Sequence, residues 1–577
     1  MDNLRQLSER KRLAALAWPH LAVAAVFLLT AVLNVWWIAR YRLGNPLDID
    51  EAGYMSAAYD DTTALLQHGL PGLIHAYRTP SQFGPLVPLL TVPVHLVLGL
   101  GVYAGLYVEL PFLLCLLLAS YALGSRLGGR TAGLLTVVGV AGLPAVVDFS
   151  RSYQFVLPTT ALFIGAVFAL VRSEGGRNWR WSAVWGALLG AAVLARLMVL
   201  GFVPGFIAAV LVQALAGRDQ RRRRILNTAI GTAVAVGVAA TWYAKNLGVT
   251  LHYLLLYGYG AKAADYGPRP EPLTVGFWTR QLTRSVDQFL YLPLALVMGI
   301  GLVAALVLAR PRESRRLTIL SSDAAAIGLV IVAGYLALTS TSNTGTGFAV
   351  PLVALVVVLA VAAIVRIPPP AARNVLMAAL MGASTFNLAS KADLVPGMSA
   401  TASAAGRTVA DGRGTLQHYI AAARYAVPDS TTPLPELQHQ WLPVAHDLAE
   451  LVEAHSAARG VAPIVCFASR DPMFNTNTFG LVARFVDQRT IPVAQLDSRL
   501  EGDSVQAYRD ALTDPLRGQP NYLVTADPAP GEFRGRVTQA YAESAARSLR
   551  FVQIATLRLP DDRETRLWWR GWPLLAP

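Results

Sequence analysis

The chain has 577 residues, 54% of them hydrophobic and 15% charged, with a net charge of +13 and a mean hydropathy of +0.43. So apolar a composition describes a polytopic membrane protein rather than a soluble enzyme. The positive charge does not make it a nucleic-acid binder, because the arginines and lysines sit in short loops between apolar runs, where the positive-inside bias accounts for them.

In chain order, Arg10-Lys11-Arg12 precedes a first apolar span near 14–38. Trp36-Trp37 close that span as interfacial anchors, and no small-residue cleavage site follows. Further spans are expected near 104–124, 131–148, 155–172, 181–196, 198–216, 225–242, 290–309, 323–338, 348–366 and 373–390, eleven in all. Each lies near the ~20-residue crossing length. Basic clusters at Arg126 to Arg130, Arg172 to Arg180, Arg218 to Arg224, Arg310 to Arg316 and Arg366 to Arg373 then all fall on the cytoplasmic side. This parity puts the N-terminus inside and everything after the last span outside. It leaves two long outer loops, 39–103 and 243–289. The prolines at 85, 88 and 93 argue that the apolar run following Phe83 lies along the outer surface rather than crossing.

Beyond Lys391 the apolar runs stop. Residues 391–435, rich in Ala, Ser, Thr, Gly and Pro, read as a linker, and 436–577 as a soluble extracytoplasmic α/β domain. Strands are expected at 462–468 and 521–525, helices near 475–488 and 533–548, and a closing hairpin over 551–559 and 565–570. No phosphate-binding loop, dinucleotide fingerprint or nucleophile elbow occurs there. Cys115 lies in a span and Cys466 in the soluble region, so the two do not pair. His68 and His75 lack metal-ligand spacing.

The chemistry concentrates just beyond the first span, in Asp48-Ile49-Asp50-Glu51. An ionised carboxylate at the membrane surface can take a proton from an attacking hydroxyl. Alternatively, Asp48 and Asp50 form a D-x-D pair for a divalent cation such as Mg²⁺ or Mn²⁺. Asp50-Glu51-Ala52-Gly53-Tyr54 resembles the Asp-Glu-x-x-Tyr motif of the C-type (GT-C) membrane glycosyltransferase superfamily, most closely the protein O-mannosyltransferase and lipid A aminoarabinose transferase-like families. Gln82-Phe83-Gly84-Pro85 stands where many members carry a Lys-Pro-Pro-like segment, and Gly124 to Arg130 is similar to the family's inner turn between the second and third spans. The second outer loop reads Asp148-Phe149-Ser150-Arg151, with its acid earlier than in many members.

The resemblance implies a GT-C-like transmembrane module over 1–390 and an inverting sugar transfer on the outer face of the plasma membrane. The donor would be a polyprenyl-phosphate sugar and the acceptor a cell-envelope glycan, lipid or protein. Asp50 would be the base, with Glu51 beside it and Tyr54 in the substrate site. Arg151, Arg196, Lys262 and Arg269 are the candidates for holding the lipid phosphate, with Lys245, Arg280 and Arg284 behind them. Two rivals are a transporter or flippase of lipid-linked or envelope substrates, and a non-catalytic glycan-binding scaffold. A transporter would carry internal repeats and mid-bilayer charges, whereas here the acids cluster at the outer surface.

Overall fold

The computed structural model describes residues 2–43, 47, 49–81, 83–216, 219–260, 263, 270–308, 323–341, 343, 345, 347–392, 440–469, 474–485, 491–496, 504–514, 519–527, 538–560 and 562–571. The chain forms two compact units. One comprises Met1–Trp37, His68–Leu90 and Leu106–Pro428; the other comprises Ile38–Gln67, Thr91–Gly105 and Asp429–Pro577. Residues 38–67 and 91–105 therefore group with the C-terminal domain; of the expected linker 391–435, Lys391 ends the last helix of the first unit and 393–435 lie outside the described residues.

The first unit is helical. After α1 (Asp2–Tyr41), α2 (Ile49–Arg78) and α3 (Leu86–Leu98) come α4 (Glu109–Ala141), the short α5 (Pro144–Phe149), α6 (Val156–Arg172), α7 (Trp179–Ala195) and α8 (Val203–Ala216). Then follow α9 (Arg221–Gly258), α10 (Val275–Ser285), α11 (Leu292–Leu308), α12 (Asp323–Thr339), α13 (Val350–Ile364) and α14 (Pro370–Lys391). Among the described residues, Trp18–Arg40, Ala104–Ala141 and Arg221–Gly258 are long and apolar enough to cross a membrane, and the pair Val275–Leu290 and Leu292–Leu308 is a fourth candidate bent by 113°. Several other expected spans are shorter apolar helices, such as Val156–Arg172 and Val350–Ile364.

Two expectations need correction. The run 131–148 is not one span: α4 bends at Gly129 (φ 81) and ends at Ala141, and α5 follows as a separate turn. The segment 243–289 is not a continuous loop, because α9 runs unbroken to Gly258 and α10 occupies Val275–Ser285. Helix α9 is set against α7 through glycine: a Cβ at Gly186 would lie 2.1 Å from the Gly231 carbonyl oxygen. Small residues let helix backbones approach this closely where lipid gives no hydrophobic drive.

Contacts within this unit gather the basic loops. Arg177 pairs with Asp219. Arg224 pairs with Asp219 at 3.1 Å and donates to the Glu174 and Gly175 carbonyls at 3.2 Å. Arg126 reaches Asp323 at 3.4 Å, and Arg366 donates to the Leu127 carbonyl. A second group joins Asn34, Ser150, Asp148 and Lys391. The described basic loops near 126, 174–177, 219–224 and 366 thus share one end of the bundle. The end of α14 meets the loop after α4.

The second unit holds a five-stranded sheet in the order β2-β1-β3-β5-β4. Strands β1 (Val465–Phe467), β2 (Val493–Gln495) and β3 (Tyr522–Asp527) are parallel; β4 (Val552–Arg558) and β5 (Glu564–Trp569) form the antiparallel hairpin. Side-chain alternation along β1 sends Val465 and Phe467 to one face and Cys466 to the other. The first face is covered by α15 (Trp441–Ala457) and α16 (Thr476–Phe485), the second by α17 (Val505–Thr513) and α18 (Gln539–Ser548). The expected strands, the two helices and the hairpin are present. The sequence reading lacked α15, β2 and α17.

Candidate functional site

In the second unit, Ile38–Gln67 carries the acidic motif. Asp50 and Glu51 occupy the first turn of α2, where carboxylates complement the exposed N–H groups of a helix start. Their environments differ. Asp50 is exposed. Glu51 is fully buried and pairs with Arg42 at 2.6 Å, both side chains being 3% exposed or less. Arg42 follows directly on α1, its N–H donating to the Ile38 carbonyl. One acid of the motif is therefore presented outward and the other anchors it to the end of the first span. Tyr54, one turn on, is half-buried.

Further along α2 lies a second polar group. Thr62 Oγ1 hydrogen-bonds His95 Nδ1 on α3 at 2.9 Å. Burial pushes the Asp61 carboxyl up to about 7, and the neighbouring Asp60 adds to the shift. Burial also pulls His95 down to about 4. Asp60 itself reaches Arg484 of α16 at 3.1 Å. Helix α3 has only 13 residues, about 20 Å at 1.5 Å per residue. Its last turns expose Leu96 and Val97, as suits a helix lying on a membrane surface.

In the first unit, Asp148 is buried between two cations, Lys391 at 2.6 Å and Arg151 at 3.4 Å. Arg151 also donates to the Lys391 carbonyl at 2.8 Å, and its guanidinium lies 3.9 Å from the Trp37 ring centre. Arg151 is thus an internal strut at 1% exposure, tying the loop after α4 to α1 and to the end of α14.

Arg196 caps the C-terminus of α7 in extended conformation and stacks 4.8 Å from the Phe348 ring. Phe348 lines a small cavity whose other walls include Gln281, Arg284, Ser285, Tyr335 and Thr339. Arginine, hydroxyl and aromatic walls suit an anionic group attached to an apolar chain. Of the candidate phosphate contacts, Arg196 adjoins this cavity through Phe348. Asp48, Lys262 and Arg269 lie outside the described residues.

Among the described residues, no three His, Cys, Asp or Glu side chains gather as a metal site. Sequence reasoning missed Arg42 as the partner of Glu51. It ranked Arg284 behind other cations and overlooked Lys391; helix α16 was expected near 475–488 but given no part in the site. Nothing in local spacing marks residues nine or several hundred positions apart as neighbours.

No protein-family model matches this sequence, and no curated protein matches it by sequence. Solved structures match it over nearly its full length. ArnT from Cupriavidus metallidurans bound to undecaprenyl phosphate superimposes with a TM-score of 0.56 at 16% identity, covering 94% of this chain and 97% of that one. The Archaeoglobus fulgidus oligosaccharyltransferase tethered with an acceptor peptide containing the NVT sequon gives 0.52 at 13% identity, covering 97% of this chain and 75% of that one. The mycobacterial arabinofuranosyltransferase AftD gives 0.52 at 15% identity, covering 96% of this chain and 40% of that one. At these identities what is shared is the fold.

Proposed function

We propose that this GT-C-fold membrane protein is an inverting glycosyltransferase that takes its sugar from a polyprenyl-phosphate donor on the outer face of the plasma membrane and gives it to a hydroxyl of a cell-envelope glycan, lipid or protein. The observation that carries the reading is the division of labour in the Asp50-Glu51 motif: Asp50 exposed, Glu51 locked to Arg42 at 2.6 Å. In this reading the Asp50 carboxylate accepts the acceptor hydroxyl's proton. The hydroxyl oxygen attacks the anomeric carbon as the bond from that carbon to the phosphate oxygen breaks. The phosphate departs on its lipid with one more negative charge, and the sugar's configuration inverts.

The leaving phosphate needs positive charge where its own charge grows. In the first unit, the cavity beside Arg284 and Phe348, with Arg196 stacked on Phe348, supports that role. Arg151 is assigned a positioning role instead, since Asp148, Trp37 and the Lys391 carbonyl occupy it. A lipid donor also suits the fold shared with ArnT, whose structure holds undecaprenyl phosphate.

The test is donor dependence in purified protein supplied with a polyprenyl-phosphate sugar. A charge-assisted hydrogen bond contributes ~1.5–3 kcal/mol, roughly 10–100-fold in affinity. Arg284→Met and Arg196→Met should each raise the donor KM by about that factor without lowering the melting temperature appreciably. Wild-type donor KM in both variants would overturn the phosphate assignment.

A further inference from the structure

We infer that the C-terminal domain is a clamp on the catalytic motif, with Asn477 the positioning residue for Asp50. This rests on the reading of Asp50 as the general base. All the residues concerned belong to the second unit.

The N-terminal turn of α16 is built to present side chains to another segment. Asn475, fully buried, accepts the Asn477 and Thr478 backbone N–H groups through Oδ1 at 2.9 and 3.0 Å. Its own Nδ2 donates to Thr478 Oγ1 at 3.0 Å. With its first N–H groups satisfied internally, the turn projects two donors outward. Asn477 Nδ2 donates to the Ile49 carbonyl at 2.8 Å, and Thr478 Oγ1 donates to the Leu47 carbonyl at 3.4 Å. Ile49 is the residue before Asp50.

The other end of α16 meets α2 again. Arg484 pairs with Asp60 at 3.1 Å, and the Phe485 ring meets Tyr59 edge-on at 4.4 Å. Helix α16 therefore runs alongside the first half of α2, its N-terminus against the motif. Asp50 sits between two fixed points, the Ile49 carbonyl held by Asn477 and the Glu51 carboxylate held by Arg42. An exposed residue on the first turn of a helix is otherwise prone to fraying. A general base loses effect steeply with misplacement, about 10²-fold for an ångström-scale shift.

The test uses the full chain in lipid nanodiscs with a polyprenyl-phosphate sugar and two readouts, steady-state kinetics and amide hydrogen exchange. Asn477→Ala should lower kcat about 10–100-fold with donor KM near wild type. It should also speed exchange in peptides covering 49–58 while β3 peptides stay unchanged. Asn477→Gln, which keeps an amide donor, should recover part of the loss. Thr478→Val, removing the longer bond, should act in the same direction but more weakly, and it serves if Asn477→Ala does not accumulate.

Wild-type kcat together with wild-type exchange at 49–58 in Asn477→Ala would overturn the clamp. Asp50→Asn is run alongside to separate the two ideas. If Asp50→Asn is inactive while Asn477→Ala is normal in both readouts, only the clamp fails. If Asp50→Asn retains full activity, the base assignment fails, and the inference that Asn477 positions a base fails with it.

Discussion

The buried Arg42–Glu51 pair shows how a charged motif is tolerated inside a fold. Either charge alone would be costly to bury, and removing one partner from such a pair typically costs about 3–5 kcal/mol. Together they hold the start of α2 in place. Asp61 has no such cation: its carboxyl is pushed up to about 7 by burial first and then by Asp60. Unfolded, it ionises near its ordinary value of 3.8. Its contribution to stability is therefore complete below pH 3.8 and is lost as pH rises to about 7, a change on the order of 2–4 kcal/mol. His95 runs the other way. It is held neutral by burial, and stability falls as pH drops from 6.5 through about 4. Asp61→Asn should thus raise the melting temperature at pH 7.5 by several degrees and change it little near pH 4. Thermal unfolding of the full chain across that range checks this; a difference independent of pH would contradict it.

At the scale of elements, the first-span boundary, the acidic motif and four of the five strands of the C-terminal sheet were legible because each is local. Ala462 to Ala468 is a short apolar run bounded by turn residues. Pro560 and Asp562 mark the hairpin. Helix α15 was legible and passed over: Trp441, Ala445, Leu448, Val452 and Ser456 make a buried stripe at helical spacing. Strand β2, three residues with Val493 exposed, carries too little pattern to read alone. The continuation of α9 through Tyr243 to Gly258 was hidden because its residues turn polar and aromatic while the helix persists. The partners of Glu51, Asp148 and Ile49 were not legible, since they come from 9, 243 and 428 positions away. Among the described residues, Arg177–Asp219, Arg126–Asp323 and Arg224 with the 174–175 carbonyls bring basic loops together. If that end is cytoplasmic, a cysteine at Asn343 in a Cys115→Ala background should react with an impermeant reagent in intact cells, and one at Asn178 should not. The reverse pattern would invert the topology.

At the scale of the molecule, the residues proposed for chemistry belong to two units that the sequence interleaves. The helical unit contributes a cavity walled by arginine, hydroxyl and aromatic groups. The second unit contributes the acidic motif and, through α16, a C-terminal domain that holds it. The account depends most on Asp50 acting as the base of a sugar transfer, since the Arg42–Glu51 pair and the Asn477 bond to the Ile49 carbonyl flank it. Loss of a positioned general base costs about 10²–10⁴-fold in rate. The most direct measurement is the turnover of a polyprenyl-phosphate sugar by purified wild-type, Asp50→Asn and Glu51→Gln proteins matched for folding and membrane insertion. The wild type should release polyprenyl phosphate and form an inverted glycoside. Asp50→Asn should be slower by about 10²-fold or more, and Glu51→Gln should be impaired to a lesser degree. Wild-type turnover by Asp50→Asn would contradict the account.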